Sequence, residues 1–197
     1  MTNIRFARVL IAVLPVVVVS ALGVPGCAHL MRPGGPRVIA SEDGVAHVRI
    51  VVREDASPST QYAAEELQRF LGEMTGASFD VVYDDAAQAE HEIVLGAENA
   101  RLAALGVELD LDALGNEGYV LRTVYGHLVI AGGEPRGTLY GVYGLLEDHL
   151  GCRWFTPEVS RIPREPTLVI PSLDETVVPV LEYREPFVKD CFDGDWC

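Results

Sequence analysis

Between Ser57 and Gly76 the chain spells out one complete amphipathic helix, and that segment constrains everything around it. Ser57 is an N-cap residue type, and Pro58 suits the first helical position, where its missing N–H has no partner to lose. Ala63, Leu67, Phe70, Leu71 and Met74 follow at spacings of three and four, so they share one face. Glu65 and Glu66 lie early and Arg69 later, the order the helix dipole favours. Gly76 is the residue type that ends helices in the left-handed region. A helix with a single apolar face has to lay it on something, and the neighbouring segments have the composition of strands.

The strand before it is HVRIVVRE from His47, with Val48, Ile50 and Val52 alternating against Arg49 and Arg53; Val51 breaks the alternation. Phe79–Tyr83 and Glu92–Gly96 follow as strands, separated by the acidic loop DDAAQAE. Residues 97–116 are ambiguous between helical turns and loop. GYVLRTV and HLVIAG flank Tyr125-Gly126, which is a tight hairpin signal. A second long helix is expected from about Arg136 to Leu150, with Leu139, Val142, Tyr143, Leu146 and Leu150 on one face and Gly151 at its end. Gly141 and Gly144 are poor helix formers, so their presence implies close packing on the sheet. Leu168–Ile170 is one more short strand, and PSLDETVVPV (171–180) reads as a proline-bounded linker. The expected class is α+β: a mostly antiparallel sheet with two main helices on one face.

The first residues stand apart from this pattern. Arg5 and Arg8 precede an apolar run from Val9 to Leu22, too short for a membrane span of ~20 residues but the right length for a secretory signal. The run ends in Val24-Pro25-Gly26-Cys27, which resembles the bacterial lipoprotein box. Residues 1–26 are therefore expected to be a signal peptide and Cys27 the site of lipid attachment. The Pro- and Gly-rich residues 27–44 are read as a tether, 45–172 as the α+β domain and 173–197 as a linker with one further strand. LEYREPFV, the last strand-like run, has no second half in the sequence, so a longer polypeptide is expected.

Charge and motif content narrow the function classes. The chain carries 15 basic and 29 acidic residues, so 15 − 29 = −14, and such a surface repels phosphate backbones. No nucleic-acid partner is expected. Gly132-Gly133-Glu134-Pro135-Arg136-Gly137-Thr138-Leu139 lies between a strand and a helix as a phosphate loop would, but Thr138 stands where the lysine belongs. A tight strand-to-helix turn is the reading we adopt. His29, His47, His91, His127 and His149 form no paired zinc spacing, and Asp190, Asp193 and Asp195 lack the spacing of a calcium loop. No metal, cofactor or catalytic residue is assigned. Cys191 and Cys197 are close enough in sequence to pair, and Cys152 reads as buried.

The ordered series SPSTQYAAEELQRFLGEMTG, IVLG, NEGYVLRT, HLVIAGGEPRGTLYGVYGLLEDHLGCRWFTP and LEYREPF resembles the N-terminal domain of the glycoside hydrolase family 67 α-glucuronidases. It is similar also to the domain before the barrel in family 20 β-hexosaminidases. The resemblance implies a module that packs on a (β/α)8 barrel and leaves catalysis to acids on barrel strands. It makes Leu181–Val188 the first strand of a truncated barrel and its missing remainder the nearest partner. In the hexosaminidases an arginine on that strand binds sugar hydroxyls; Arg184 occupies the similar place, with Glu185 where those enzymes have glycine. The expected function is a non-catalytic accessory domain of an exported, lipid-anchored glycoside hydrolase acting on polysaccharide. A non-enzymatic surface lipoprotein module that binds glycan or a partner protein is the alternative.

Overall fold

The structure, a computed structural model, describes residues 37–156 and 158–181. Its centre is a six-stranded sheet. Strand β3 (Arg49–Val52) leads into helix α1 (Pro58–Thr75), which returns the chain to β4 (Val81–Tyr83) and β5 (Glu92–Leu95). Two short helices, α2 (Arg101–Ala104) and α3 (Leu111–Leu114), occupy the ambiguous stretch. The hairpin β6 (Tyr119–Val124) and β7 (His127–Gly132) follows, and β11 (Asp174–Val177) closes the far edge. The strand order is β11-β6-β7-β5-β3-β4.

The class is α+β as expected, but the sheet is mixed rather than mostly antiparallel. β3 pairs in parallel with β4 and β5, and β5 pairs in parallel with β7; only β6–β7 and β6–β11 are antiparallel. The physical cause is the crossover: a helix of 18 residues carries the chain back to the end where β3 began, so β4 enters in the same direction. Parallel strands are covered on both faces, which explains why Val51 is as buried as Ile50 and Val52.

The first face carries the main core. Leu67, Phe70, Leu71 and Met74 of α1 meet Ile50, Ile93, Leu95, Leu121, Leu128 and Ile130. The Ser57 hydroxyl accepts the Thr60 N–H at 3.2 Å, and Gly76 closes the helix at φ 77°, both as the sequence implies. The second face holds Val94, Val120, Val129 and Ala131, covered by Leu102 and Leu105 from the α2 segment and Leu114 of α3. Both main helices thus lie on one face, and short helical turns cover the other.

Three further expectations are corrected. Strand β1 (Val38–Glu42) begins inside the segment read as a tether and pairs with β2 (Val45–Ala46) and with β10 (Leu168–Ile170). Val38 and Ala40 are buried, so the domain starts before residue 45. The proline-bounded linker contains β11, held by β6 through Asp174↔Arg122 to Val177↔Tyr119. The second long helix is α4 (Gly137–Gly144) followed by a π turn, Leu145–His149. The wider turn shifts the register, so Leu145 and Leu146 are both fully buried. Beyond Gly151, at φ 76°, a small hairpin forms from β8 (Arg153–Thr156) and β9 (Val159–Arg161).

α4 lies flush against β6 and β7. A Cβ at Gly141 would stand 2.8 Å from Ile130 Cγ2, and one at Gly144 would stand 2.9 Å from Tyr119 Cζ. The β6–β7 turn places Tyr125 at φ 50° and Gly126 at φ 83°, the paired positive values of a tight hairpin.

Helix propensity alone favours replacing either glycine by ~1 kcal/mol. The contacts predict the opposite sign: Gly141→Leu and Gly144→Leu should each lower stability by about 1–3 kcal/mol through overpacking. Urea unfolding of the two variants checks this, and melting at or above the parent's midpoint for both contradicts the packing.

Candidate functional site

In sheets with parallel strands, ligands gather at the carboxyl ends of those strands. Here that rim is formed by Arg53 after β3, Gly96 after β5 and Glu134 after β7, with Ser57 and Thr60 from the start of α1. The space left is about 20 Å³, room for roughly one water. The domain fills the rim with its own groups. The Thr60 hydroxyl donates to Glu134 Oε1 at 3.4 Å, and Arg53 is held by Glu98 at 2.7 Å and by Asp55. Asn99, nearly buried, donates to the Val51 and Leu95 carbonyls at 3.1 Å and so clips two strand ends together.

The glycine-rich turn beside this rim is structural, as the sequence implies. The Gly132 N–H donates to Thr138 Oγ1 at 3.1 Å, Gly133 to the Gly118 carbonyl and Gly137 to the Gly133 carbonyl. Three of its amides are therefore spent inside the turn and its neighbour. A side chain at Gly133 would run into the Gly115 carbonyl, so the glycine serves a backbone crossing.

At the opposite end of the parallel strands sits a buried charge cluster that the sequence reading missed. Glu92 is fully buried yet belongs to a strand. Arg49, directly across on β3, reaches Oε1 at 2.7 Å, and Arg101 of α2 reaches Oε2 at 3.0 Å. The Ala89 N–H adds a third donor. The same arginines bind carbonyls of the acidic loop: Arg101 those of Asp84 and Ala86, and Arg49 that of Ala87. Burial pushes the Glu92 carboxyl up, but these donors outweigh it and hold the group below the usual carboxylate range. The signal was present: a glutamate opening the otherwise apolar run EIVL needs partners if the strand is central.

Glu66 was read as a dipole residue, but it faces the core side of α1 instead. Tyr143 of α4 donates to its Oε2 at 2.5 Å, and Arg69 holds both oxygens at 2.9 and 3.1 Å. Burial raises its carboxyl, while Arg69 and Tyr143 together bring it below the ordinary value. Phe70, Tyr143 and Trp154 stack edge to face around this pair. Cys152 is buried as expected, 3.8 Å from Met74 Sδ, and burial pushes its thiol up to about 11.

An open groove of about 690 Å³ lies among the described residues beside α3. One wall is Asp112–Glu117 with Arg136, whose guanidinium pairs with Glu117 at 2.6 Å; the other is Val178, Pro179, Val180 and Leu181. The residues singled out from the sequence, Cys27 and Arg184, lie outside the described residues, as do Asp190, Cys191, Asp193, Asp195, Cys197 and all of the expected barrel strand except Leu181. Among the described residues no three His, Cys, Asp or Glu side chains could hold a metal ion together.

Comparison with known proteins places this geometry. Residues 41–145 match the family described as Glycosyl hydrolase family 67 N-terminus. A search of curated proteins gave no match. Among solved structures, a family GH115 4-O-methyl-alpha-glucuronidase with specificity for decorated arabinogalactans aligns with TM-score 0.54 and 17% identity. The alignment covers 76% of this chain and 19% of that one. The GH20 beta-N-acetylhexosaminidase of Streptomyces coelicolor A3(2) aligns with TM-score 0.51 and 18% identity over 77% of this chain and 25% of that one. A beta-hexosaminidase of Streptomyces plicatus aligns with TM-score 0.50 and the same identity and coverage. At these identities the likeness is one of fold, and the chain spans a quarter or less of those enzymes.

The buried histidine beside Glu92 gives the domain a pH signature. Burial pushes the His127 imidazole below its usual 6.5; Glu92 opposes this, and His91 and Arg101 add to it. The unfolded chain therefore takes up this proton first, so the associated stability is complete above pH 6.5 and declines as pH falls below it. Glu66 and Glu92 act lower down: their stabilisation is present above 4.5 and is lost as pH falls through their depressed values. Urea midpoints should step down first between pH 7 and 5, and His127→Gln should remove much of that first step while keeping the second.

Proposed function

The chain belongs to the glycosyl hydrolase family 67 N-terminus family, and on that premise we propose that it is the non-catalytic accessory domain of an exported, lipid-anchored glycoside hydrolase. The family match over residues 41–145 supports the glycoside hydrolase part of this reading, and the signal-like run ending in Cys27 is what motivates the export and the anchor. The arrangement of charge supports it: Glu66 and Glu92, the two most buried carboxylates, are committed to arginines, and the strand-end rim is filled by Glu134. A glycosidase needs two carboxylates flanking the scissile bond with room for sugar and water between them. On this reading those acids come from a barrel that follows the domain, and Arg184 reaches sugar hydroxyls from its first strand. The substrate is a polysaccharide of the glucuronosyl-bearing kind. The acidic surface of this domain, net −14 over the whole chain, leaves recognition of an acidic sugar to cations elsewhere in the parent protein.

Two measurements test the proposal. Purified residues 28–197 should leave aryl-glycosides and glucuronoxylan fragments intact; turnover that follows the protein through purification would contradict the accessory role. Cys27→Ser in the expressed precursor should move the protein from the membrane pellet to the soluble extract. Continued membrane fractionation of that variant would remove the lipid anchor from the proposal.

A further inference from the structure

We propose that the loop between β4 and β5, residues 84–91, is an acid-operated latch: it stays closed against His127 while that imidazole is neutral and lifts when His127 takes up a proton. His127 opens β7 and is buried. The register Ile93↔Leu128 sets it level with Glu92 on the neighbouring strand. His91, the last residue of the loop, stands against it edge to face, with ring centres 6.5 Å apart. The same ring lies on the hairpin turn, where a Cβ at Gly126 would stand 2.8 Å from His91 Nδ1. Nδ1 of each histidine is buried without a hydrogen-bond partner. A neutral imidazole tolerates this, because its one proton can sit on Nε2. The cation carries N–H at both nitrogens and would bury one of them without an acceptor. Among the described residues, the charged and titratable groups that face His127 are Glu92, His91 and Arg101. Glu92 is already shared by Arg101 and Arg49, so it is no free anion for a third cation. The closed arrangement has no place for a charged His127.

The loop is the part able to give way. β7 is fixed in the sheet between β5 and β6, whereas the loop is tied down by a few bonds from side chains. Arg101 donates to the Asp84 and Ala86 carbonyls and Arg49 to that of Ala87, while the Ala89 N–H donates to Glu92. These ties pass through the same two arginines that a charged His127 repels. Glu90, 3.9 Å from His91 Nε2, leaves with that ring when the loop lifts. The inference concerns this chain alone and does not depend on the hydrolase reading.

The test is native-state hydrogen exchange of the full chain at pH 7 and pH 5, read as protection factors so that the intrinsic chemistry of exchange cancels. Two loop amides report the latch: Ala86 N–H, bonded to the Tyr83 carbonyl at 3.1 Å, and Ala89 N–H, bonded to Glu92 Oε1 at 3.0 Å. The lifted form takes up its proton near the ordinary value of 6.5 and the closed form only below it. Protection at both amides should therefore fall about three-fold or more from pH 7 to pH 5. Because only a loop opens, their exchange should change little with sub-denaturing urea, unlike that of the interior amides of α1. His127→Gln should abolish the fall at both amides. The proposal is overturned by protection that is the same at both pH values, or by a fall that survives His127→Gln. It is overturned equally if these two amides share the urea dependence of α1, since His127 would then gain its proton only on global unfolding. The first and last of these are read on the parent chain, so they decide the matter even where the variant does not fold.

Discussion

Everything in this domain follows from a sheet that must be dry on both sides. The run of parallel strands β4-β3-β5-β7 carries Ile50, Ile93, Leu128 and Ile130 to one face and Val94 and Val129 to the other. One face is met by two helices, the other by little more than two helical turns and their loops. So thin a cover has to be fastened, and the fastening is ionic. Glu92 draws Arg101 down from α2 and Arg49 across from β3, and both arginines also bind the loop between β4 and β5. A buried carboxylate with two arginine partners and an amide is a costly arrangement compared with an apolar one, but it fixes one position of the cover over the sheet.

The helical half of the fold was legible because its signals are local. Ser57, Pro58 and Gly76 bracket α1, the apolar spacing marks its buried face, and Tyr125-Gly126 marks the hairpin. Strand direction was not legible by the same means, since pairing partners lie far apart in sequence. The runs Ile50–Val52, Ile93–Leu95 and Leu128–Ile130 did carry the information: unbroken apolar triplets indicate strands buried on both faces, which parallel strands require. Reading Val51 as a break in alternation hid it. β1 and β11 were missed for a different reason. Pro- and Gly-rich surroundings suggested tether and linker, while edge strands as short as Asp174–Val177 draw their stability from the neighbour they pair with.

For the site, Thr138 in place of a lysine was reason enough to dismiss the glycine-rich turn, and the structure supplies the cause in the amides of Gly132, Gly133 and Gly137, all satisfied within the fold. The Glu92 cluster and the groove beside Arg136 could not be read from spacing, because each joins residues from three or more separate segments. The domain emerges as a body whose charged interior works for its own cohesion, with an open groove between α3 and residues 178–181.

Cys152 shows what the packing means for the life of the molecule. Its thiol is closed off beside Met74 and held protonated at ordinary pH, so the folded domain offers oxidants no thiolate there. Unfolding releases it into a chain that carries four cysteines in all. In an oxidising medium the opened chain exposes that sulfur to disulfide exchange with the others. Where that exchange outpaces refolding, the working lifetime of such a domain is set by how rarely it opens, not by the balance between its folded and unfolded forms.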